Sequence, residues 1–271
     1  VVGITGSNGK TVVKEWLYQL LSPERIITRS PRSYNSQIGV PLSVWLLNET
    51  TELGIFEAGI SEMGEMEALQ SIIRPTVGVL TNIGGAHQEN FYSVPDKCME
   101  KLTLFKECDV VIYDGDNELI SSCVGKSLFG AREIAWSKTD NERPLYISSI
   151  EKGETSTTIR YRYLGMPNEY TIPFIDDASI ENSLHCLAVC LYMMLPAEKI
   201  TERMAHLEPI AMRLEVKEGK NGCVLINDSY NSDLASLDIA LDFMSRRSED
   251  KGRKRTLILS DLLETGQTPK L

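Results

Sequence analysis

Val1-Val2-Gly3-Ile4-Thr5-Gly6-Ser7-Asn8-Gly9-Lys10-Thr11-Val12-Val13 opens the chain, and its reading decides the fold. A short apolar run enters a glycine turn, and the turn opens into an amphipathic segment that reaches Leu21. Strand, glycine turn and helix in that order make the context a phosphate-binding loop needs. Backbone N–H groups of the turn and of the helix N-terminus point at an anion, and the helix dipole favours negative charge there. Gly6, Ser7, Asn8 and Gly9 would form the cradle. Lys10 can neutralise β- or γ-phosphate oxygens, and the Thr11 hydroxyl can ligate magnesium. The pattern G-x-x-x-x-G-K-[ST] is incomplete, because Ile4 stands where the first glycine belongs. A glycine turn with a surface lysine is the plainer reading, and the strand–turn–helix context favours the phosphate loop over it.

Outward from this loop the pattern repeats. Residues 26–29, 53–58, 76–81 and 109–113 read as apolar strands, separated by helical segments at 41–47, 64–73 and 97–106. Asp96 is expected to cap the last of these. Strands alternating with helices indicate an α/β fold with a mainly parallel sheet covered on both faces. Ligands in such sheets lie at the carboxyl ends of the strands. Thr5, Glu57, Asn82 and the loop carrying His87 all fall at such ends. The texture then changes. Residues 146–151, 155–164 and 169–174 are short, β-rich and separated by turns, as in a small antiparallel extension. Long apolar helices are expected over 179–195 and 198–207. The α/β pattern restarts near Arg213, with a strand at 223–227, a helix at 234–246 and a strand at 256–260. A domain boundary is placed there, giving units 1–212 and 213–271. The second is the start of a Rossmann-like domain, so the chain reads as part of a longer polypeptide.

Composition narrows the function. The 271 residues carry a net charge of −10, which argues against non-specific nucleic-acid or anionic-membrane binding. Any phosphates must meet a local basic site. No apolar run approaches the ~20 residues a membrane span requires, and no secretory signal is visible. Six cysteines without a C-x-x-C pair fit a reducing cytoplasm better than a disulfide framework.

Several side chains have two readings each. Glu57 ends an apolar strand, either as a solvated strand end or as a magnesium ligand beside the phosphate loop. His87 follows Asn82-Ile83-Gly84-Gly85-Ala86, either exposed or close to a ligand. Lys101 reads as a surface lysine, Asn182 as a polar helix residue and Arg213 as a hinge charge. Asp228, in Asn227-Asp228-Ser229-Tyr230-Asn231, belongs either to a polar turn or to a site that accepts hydrogen bonds from ribose hydroxyls.

The ordered set Thr5-Gly6-Ser7-Asn8-Gly9-Lys10-Thr11, Glu57-Ala58-Gly59, the 82–87 loop, the Lys101 helix, Glu181-Asn182, Met212-Arg213 and Asn227-Asp228-Ser229-Tyr230-Asn231 resembles the Mur ligases. These are the ATP-dependent amide-forming enzymes of peptidoglycan synthesis. Asp228-Ser229-Tyr230-Asn231, and Glu57 to Gly64 followed by Arg74-Pro75, are similar to the branch that adds D-Ala-D-Ala to a UDP-MurNAc-tripeptide. The stretch 29–39 resembles chains of that branch fused to an alanine racemase.

The resemblance implies roles. Gly6, Ser7, Asn8, Gly9, Lys10 and Thr11 would hold ATP phosphates. Thr11 and Glu57 would share one magnesium ion, and His87 would help bind a second. Lys101 would be carbamylated, an anion able to bind magnesium. Asn182 would lie by the adenine, and Arg213 and Asp228 would bind the nucleotide. Asn35 and Ser36, in the 30–37 loop, would face the UDP-sugar peptide. The family's usual paired asparagines are replaced here by Tyr34-Asn35-Ser36, and its His-Asn by Ala178-Ser179. The other readings are a different ligase of the superfamily, adding the third peptide residue or glutamate to folate, and a non-catalytic nucleotide-binding module.

Overall fold

The computed structural model describes residues 1–84, 90–127, 130–211, 215–229, 237–238, 240–241, 243–245 and 254–259. Strand β1 (Val2–Thr5) feeds helix α1 (Lys10–Leu21), and β2 (Ile27–Arg29), α2 (Gly39–Val44), β3 (Leu53–Glu57), α3 (Glu65–Ile73), β4 (Val77–Leu80), α4 (Val94–Leu102), β5 (Val110–Asp114), α5 (Glu118–Ser127) and β6 (Arg132–Ser137) follow. A meander of β7 (Leu145–Lys152), β8 (Thr157–Tyr163) and β9 (Met166–Ile172) leads to α6 (Asp177–Tyr192) and α7 (Ala197–Met204). A separate antiparallel pair, β10 (Glu215–Glu218) and β11 (Val224–Asn227), closes the described elements.

The main sheet has nine strands in the order β2-β3-β1-β4-β5-β6-β7-β8-β9. Pairing is parallel from β2 through β7 and antiparallel from β7 to β9. The chain runs from β1 outward to β2, returns to β3, and crosses to β4 on the other side of β1. The crevice at the carboxyl end of β1 is thus a topological switch point, where open α/β sheets bind ligands.

Alternation along the strands builds two cores. Ile4, Ile55, Val79 and Ile112 face α1 and α6. Phe56, Leu80, Val111 and Tyr113 face α3, α4 and α5. Helix α1 buries Val13, Trp16, Leu17, Leu20 and Leu21, an i, i+3, i+4, i+7, i+8 stripe. Burial on both faces explains why the parallel strands read as continuous apolar runs.

Four local expectations change. Ser93, not Asp96, caps α4: its Oγ accepts from Asp96 N at 3.2 Å, and Pro95 suits the first turn. The sequence reading passed over α5 and β6. It also passed over β10, whose Glu215-Val216-Lys217-Glu218 lacks an apolar face. Residues 256–259 pair with no strand among the described residues, and Ile258 is exposed. Of the helix expected over 234–246, the described positions 237–238, 240–241 and 243–245 are helical.

Candidate nucleotide site

The turn after β1 is stitched to the segment after β4. Ser7 N donates to Asn82 O at 2.9 Å, and Asn8 N to Asn82 Oδ1 at 2.9 Å. Thr81 Oγ1 donates to Asn8 O at 2.6 Å, and Gly84 N to Ser7 Oγ at 2.8 Å. Gly6 is required here: its φ is +142°, and a Cβ would lie 1.9 Å from Thr81 Oγ1. Asn82 is itself oriented, with Nδ2 donating to Glu181 Oε1 at 3.4 Å. Burial raises the Glu181 carboxyl above the usual range.

His185 of α6 supports the same segment from beneath. Trp136 Nε1, which can only donate, lies 3.2 Å from His185 Nδ1. The imidazole proton therefore sits on Nε2, 2.9 Å from Thr81 O. Burial holds this imidazole down at about 4, so it is neutral and fixed in one tautomer.

Three lysines converge on the loop of an otherwise acidic chain. Lys10 Nζ curls back to donate to Gly6 O at 2.7 Å and Ser7 O at 2.9 Å. Lys101 Nζ lies 3.3 Å from Gly6 O, and Lys97, one turn earlier on α4, donates to Gly84 O. Lys97 and Lys101 are both buried. Burial pushes the Lys101 ammonium well below the ordinary lysine range, and neighbouring Lys10 and Lys97 push it further.

Glu57, at the end of β3, is wholly buried. Thr11 Oγ1 lies 3.1 Å from its Oε2 and 3.3 Å from its Oε1. Asn35 Nδ2 donates to Oε2 at 3.3 Å, and Lys14 Nζ to Oε1 at 3.0 Å. A hydroxyl and a carboxylate at this spacing are hard oxygen donors that one small divalent cation can bridge. Among the described residues no group of three His, Cys, Asp or Glu could cage a metal.

Beside the loop lies a cavity of about 520 Å³, a size suited to a small-molecule ligand. Gly9, Trp16, Phe174, Asn182, Asp228 and Phe243 contribute to its walls. Trp16 stacks on Phe174 with ring centroids 5.0 Å apart, and its Nε1 donates to Glu208 O at 3.0 Å. Gly9, with φ +83°, leaves room for Asn182, whose Oδ1 would lie 2.3 Å from an added Cβ. Ala178 and Ser179 also face this space. Asp176 caps α6 here by accepting from Ser179 N at 2.7 Å.

The structure thus brings Lys10, Thr11, Asn35, Glu57 and Lys101 together and sets Asn182 and Asp228 on the adjoining cavity. Ser36 is turned to another task, accepting from Gly39 N at 3.2 Å at the start of α2. His87 and Arg213 lie outside the described residues. The sequence reading missed Lys14 and Lys97. Helical spacing carried the signal for both: Lys14 is three residues after Thr11, and Lys97 four before Lys101, so each shares a face with its neighbour.

Residues 4–190 match the Mur ligase middle domain. The chain belongs to the Mur ligase family. Its relatives include the UDP-N-acetylmuramoyl-tripeptide--D-alanyl-D-alanine ligase of Bacillus subtilis, 32% identical over 98% of this chain and 57% of the relative. The enzyme of that name from Borreliella burgdorferi is 29% identical over 87% of this chain and 50% of the relative. The chain therefore spans about half the length of the curated relatives it matches. Among solved Mur ligase structures, MurF from Acinetobacter baumannii superposes with a TM-score of 0.82 at 21% identity, covering 90% of this chain and 54% of that one. MurF from Thermotoga maritima, solved in complex with ADP, gives 0.76 at 22% identity, over 90% and 56%. At these identities the superpositions show a shared fold.

Proposed function

We propose that this Mur ligase chain supplies the ATP-binding core of an enzyme that joins D-Ala-D-Ala to UDP-MurNAc-tripeptide. We assign residues 1–212 to the central ATP-binding domain and 213–271 to the start of the C-terminal domain. The observation that carries the reading is the pairing of Lys10 and Lys101 on Gly6 O beside the Thr11–Glu57 contact, in a chain whose curated relatives bear that enzyme's name. A cytoplasmic location accompanies this reading.

The chemistry follows from charge and position. The peptide's terminal carboxylate takes the γ-phosphoryl group of ATP, giving an acyl phosphate and ADP. The dipeptide amine then attacks the acyl carbon, and phosphate leaves from a tetrahedral intermediate. The loop N–H groups and Lys10 hold the phosphates and offset charge developing on the transferring group. Thr11 and Glu57 would hold a magnesium ion, with His87 assigned to a second; bound there, the metal supplies electrophilic assistance to the phosphoryl oxygens. Asn182 would lie by the adenine, Asp228 would accept from the ribose hydroxyls and Arg213 would bind the nucleotide. Asn35 and Ser36 would lie toward the UDP-sugar peptide.

Lys101 would carry a carbamate. Its Nζ attacks the carbon of CO2 and loses a proton, which requires a neutral amine. Burial beside Lys10 and Lys97 favours that form, and the same two cations would stabilise the resulting anion. Lys101→Ala should lose activity and regain part of it with added short carboxylates. Turnover like that of the wild type would refute the role.

Phosphate release from ATP by the full-length protein, with D-Ala-D-Ala compared against free amino acids, decides the reaction. A requirement for the dipeptide supports this reading. Preference for a free amino acid, or for glutamate on a folate, indicates another ligase of the superfamily, and no turnover with any acceptor a binding module. A fused alanine racemase would provide D-alanine for the acceptor, and the mass of the complete polypeptide would reveal it.

A further inference from the structure

Lys14 is a buried cation to which the chemistry above gives no task. Its Nζ lies 3.0 Å from Glu57 Oε1, 2.8 Å from Ser30 O and 3.1 Å from Glu15 Oε1, and it also donates to Arg32 O. An ammonium has three N–H groups, so all of them are committed, and the side chain is wholly shielded from water. A buried carboxylate needs a counter-charge, and Lys14 provides one for Glu57. Charge balance alone does not explain the two main-chain carbonyls. Both lie at the root of the 30–37 loop, which the ammonium ties to α1 and β3 together. Further along the loop, Ser33 Oγ lies 2.9 Å from Thr11 Oγ1, and Asn35 reaches Glu57 Oε2. Glu15 extends the brace outward: it pairs with Arg29 at 3.0 Å, and the Arg29 guanidinium lies 3.5 Å over the Tyr18 ring.

We propose that Lys14 is a positioning residue that couples the magnesium carboxylate Glu57 to the loop facing the acyl substrate. The role rests on the proposed reading of Glu57 as a metal ligand and of the 30–37 loop as a substrate contact. The ammonium occupies Oε1, so the metal would approach at Oε2, on the side of Thr11 and Asn35. Through Ser30 O and Arg32 O the same ammonium sets where the loop begins. Loop order and carboxylate orientation therefore depend on one side chain.

The test compares Lys14→Met, Glu57→Gln and the double variant in the full-length protein. Calorimetry measures UDP-MurNAc-tripeptide binding, and melting temperature is followed against Mg2+ at fixed ADP. Lys14→Met should weaken peptide binding about tenfold, through the lost charge-assisted contacts to the loop. It should also move the Mg2+ midpoint several-fold lower, because a cation next to the metal site is gone. Glu57→Gln should abolish the Mg2+ response yet keep peptide binding within about twofold, since Lys14 still holds the loop. The double variant removes both buried charges together, which keeps it foldable where Lys14→Met alone is not, and it should bind the peptide as weakly as Lys14→Met. Peptide binding by the double variant equal to that of Glu57→Gln would overturn the proposal. An unchanged Mg2+ response in Glu57→Gln would instead defeat the metal reading, and the loop coupling would still be judged by the peptide-binding comparison.

Discussion

Gly6 shows how a single position can set a site. Its backbone lies at φ +142°, and Thr81 Oγ1 fills the place a side chain would take. Gly6→Ala must therefore strain the backbone and displace the hydroxyl that donates to Asn8 O. The expected cost is about 1–3 kcal/mol in denaturant unfolding, with ATP binding weakened more than a uniform loss of stability would produce. Binding retained at the wild-type level would show that the loop does not need this geometry. The sequence made Gly6, Lys10 and Thr11 legible because a phosphate loop has fixed spacing. Glu57 was legible because a carboxylate closing an apolar strand is unusual. Lys14 was not, since a lysine on an amphipathic helix defaults to solvent. Only the fold reveals that β3 and the 30–37 loop close over it.

Helix α6 carries a different kind of information. Its apolar run predicted burial, but His185 within it supports the glycine loop after β1 through Thr81 O. Burial holds that imidazole at about 4, below its ordinary 6.5. As pH falls, the unfolded chain takes up the proton first. Stability from the neutral ring is complete above pH 6.5, is lost progressively from there to pH 4, and changes no further below. The full effect is about 3 kcal/mol. His185→Gln can keep one donor and one acceptor without titrating, so its unfolding free energy should be flatter across that interval. Parallel pH curves for the two proteins would rule out His185 as the source. Elements were harder to read where polarity masked them. Strand β6 opens with exposed Arg132 and Glu133, and α5 contains five polar or glycine positions among its last seven. Residues 256–259 show the converse, an apolar stretch with strand character that has no partner among the described residues.

At the scale of the molecule, the sheet and the cavity wall draw unequally on the chain. All nine strands of the main sheet lie between Val2 and Ile172, and α7 ends at Met204. Neither hydrophobic core takes a described residue from beyond Ile210. The cavity beside the phosphate loop does, because Val216, Asp228 and Phe243 form part of its wall. A chain ending at residue 211 should therefore keep a cooperative unfolding transition close to that of the longer form. It should also retain the phosphate loop, with Gly6, Lys10 and Thr11 in place, and lose the part of the cavity wall formed by Val216, Asp228 and Phe243. ATP affinity is expected to fall at least about tenfold, the scale of one lost hydrogen bond to a charged group. Inorganic pyrophosphate, which would need only the loop, should bind both forms alike. Calorimetric melting with nucleotide and pyrophosphate titrations separates the two effects. Equal ATP affinity in the two forms would mean that the 215–245 segment does not contribute to nucleotide binding. Loss of pyrophosphate binding along with ATP would mean that the loop itself depends on the segment.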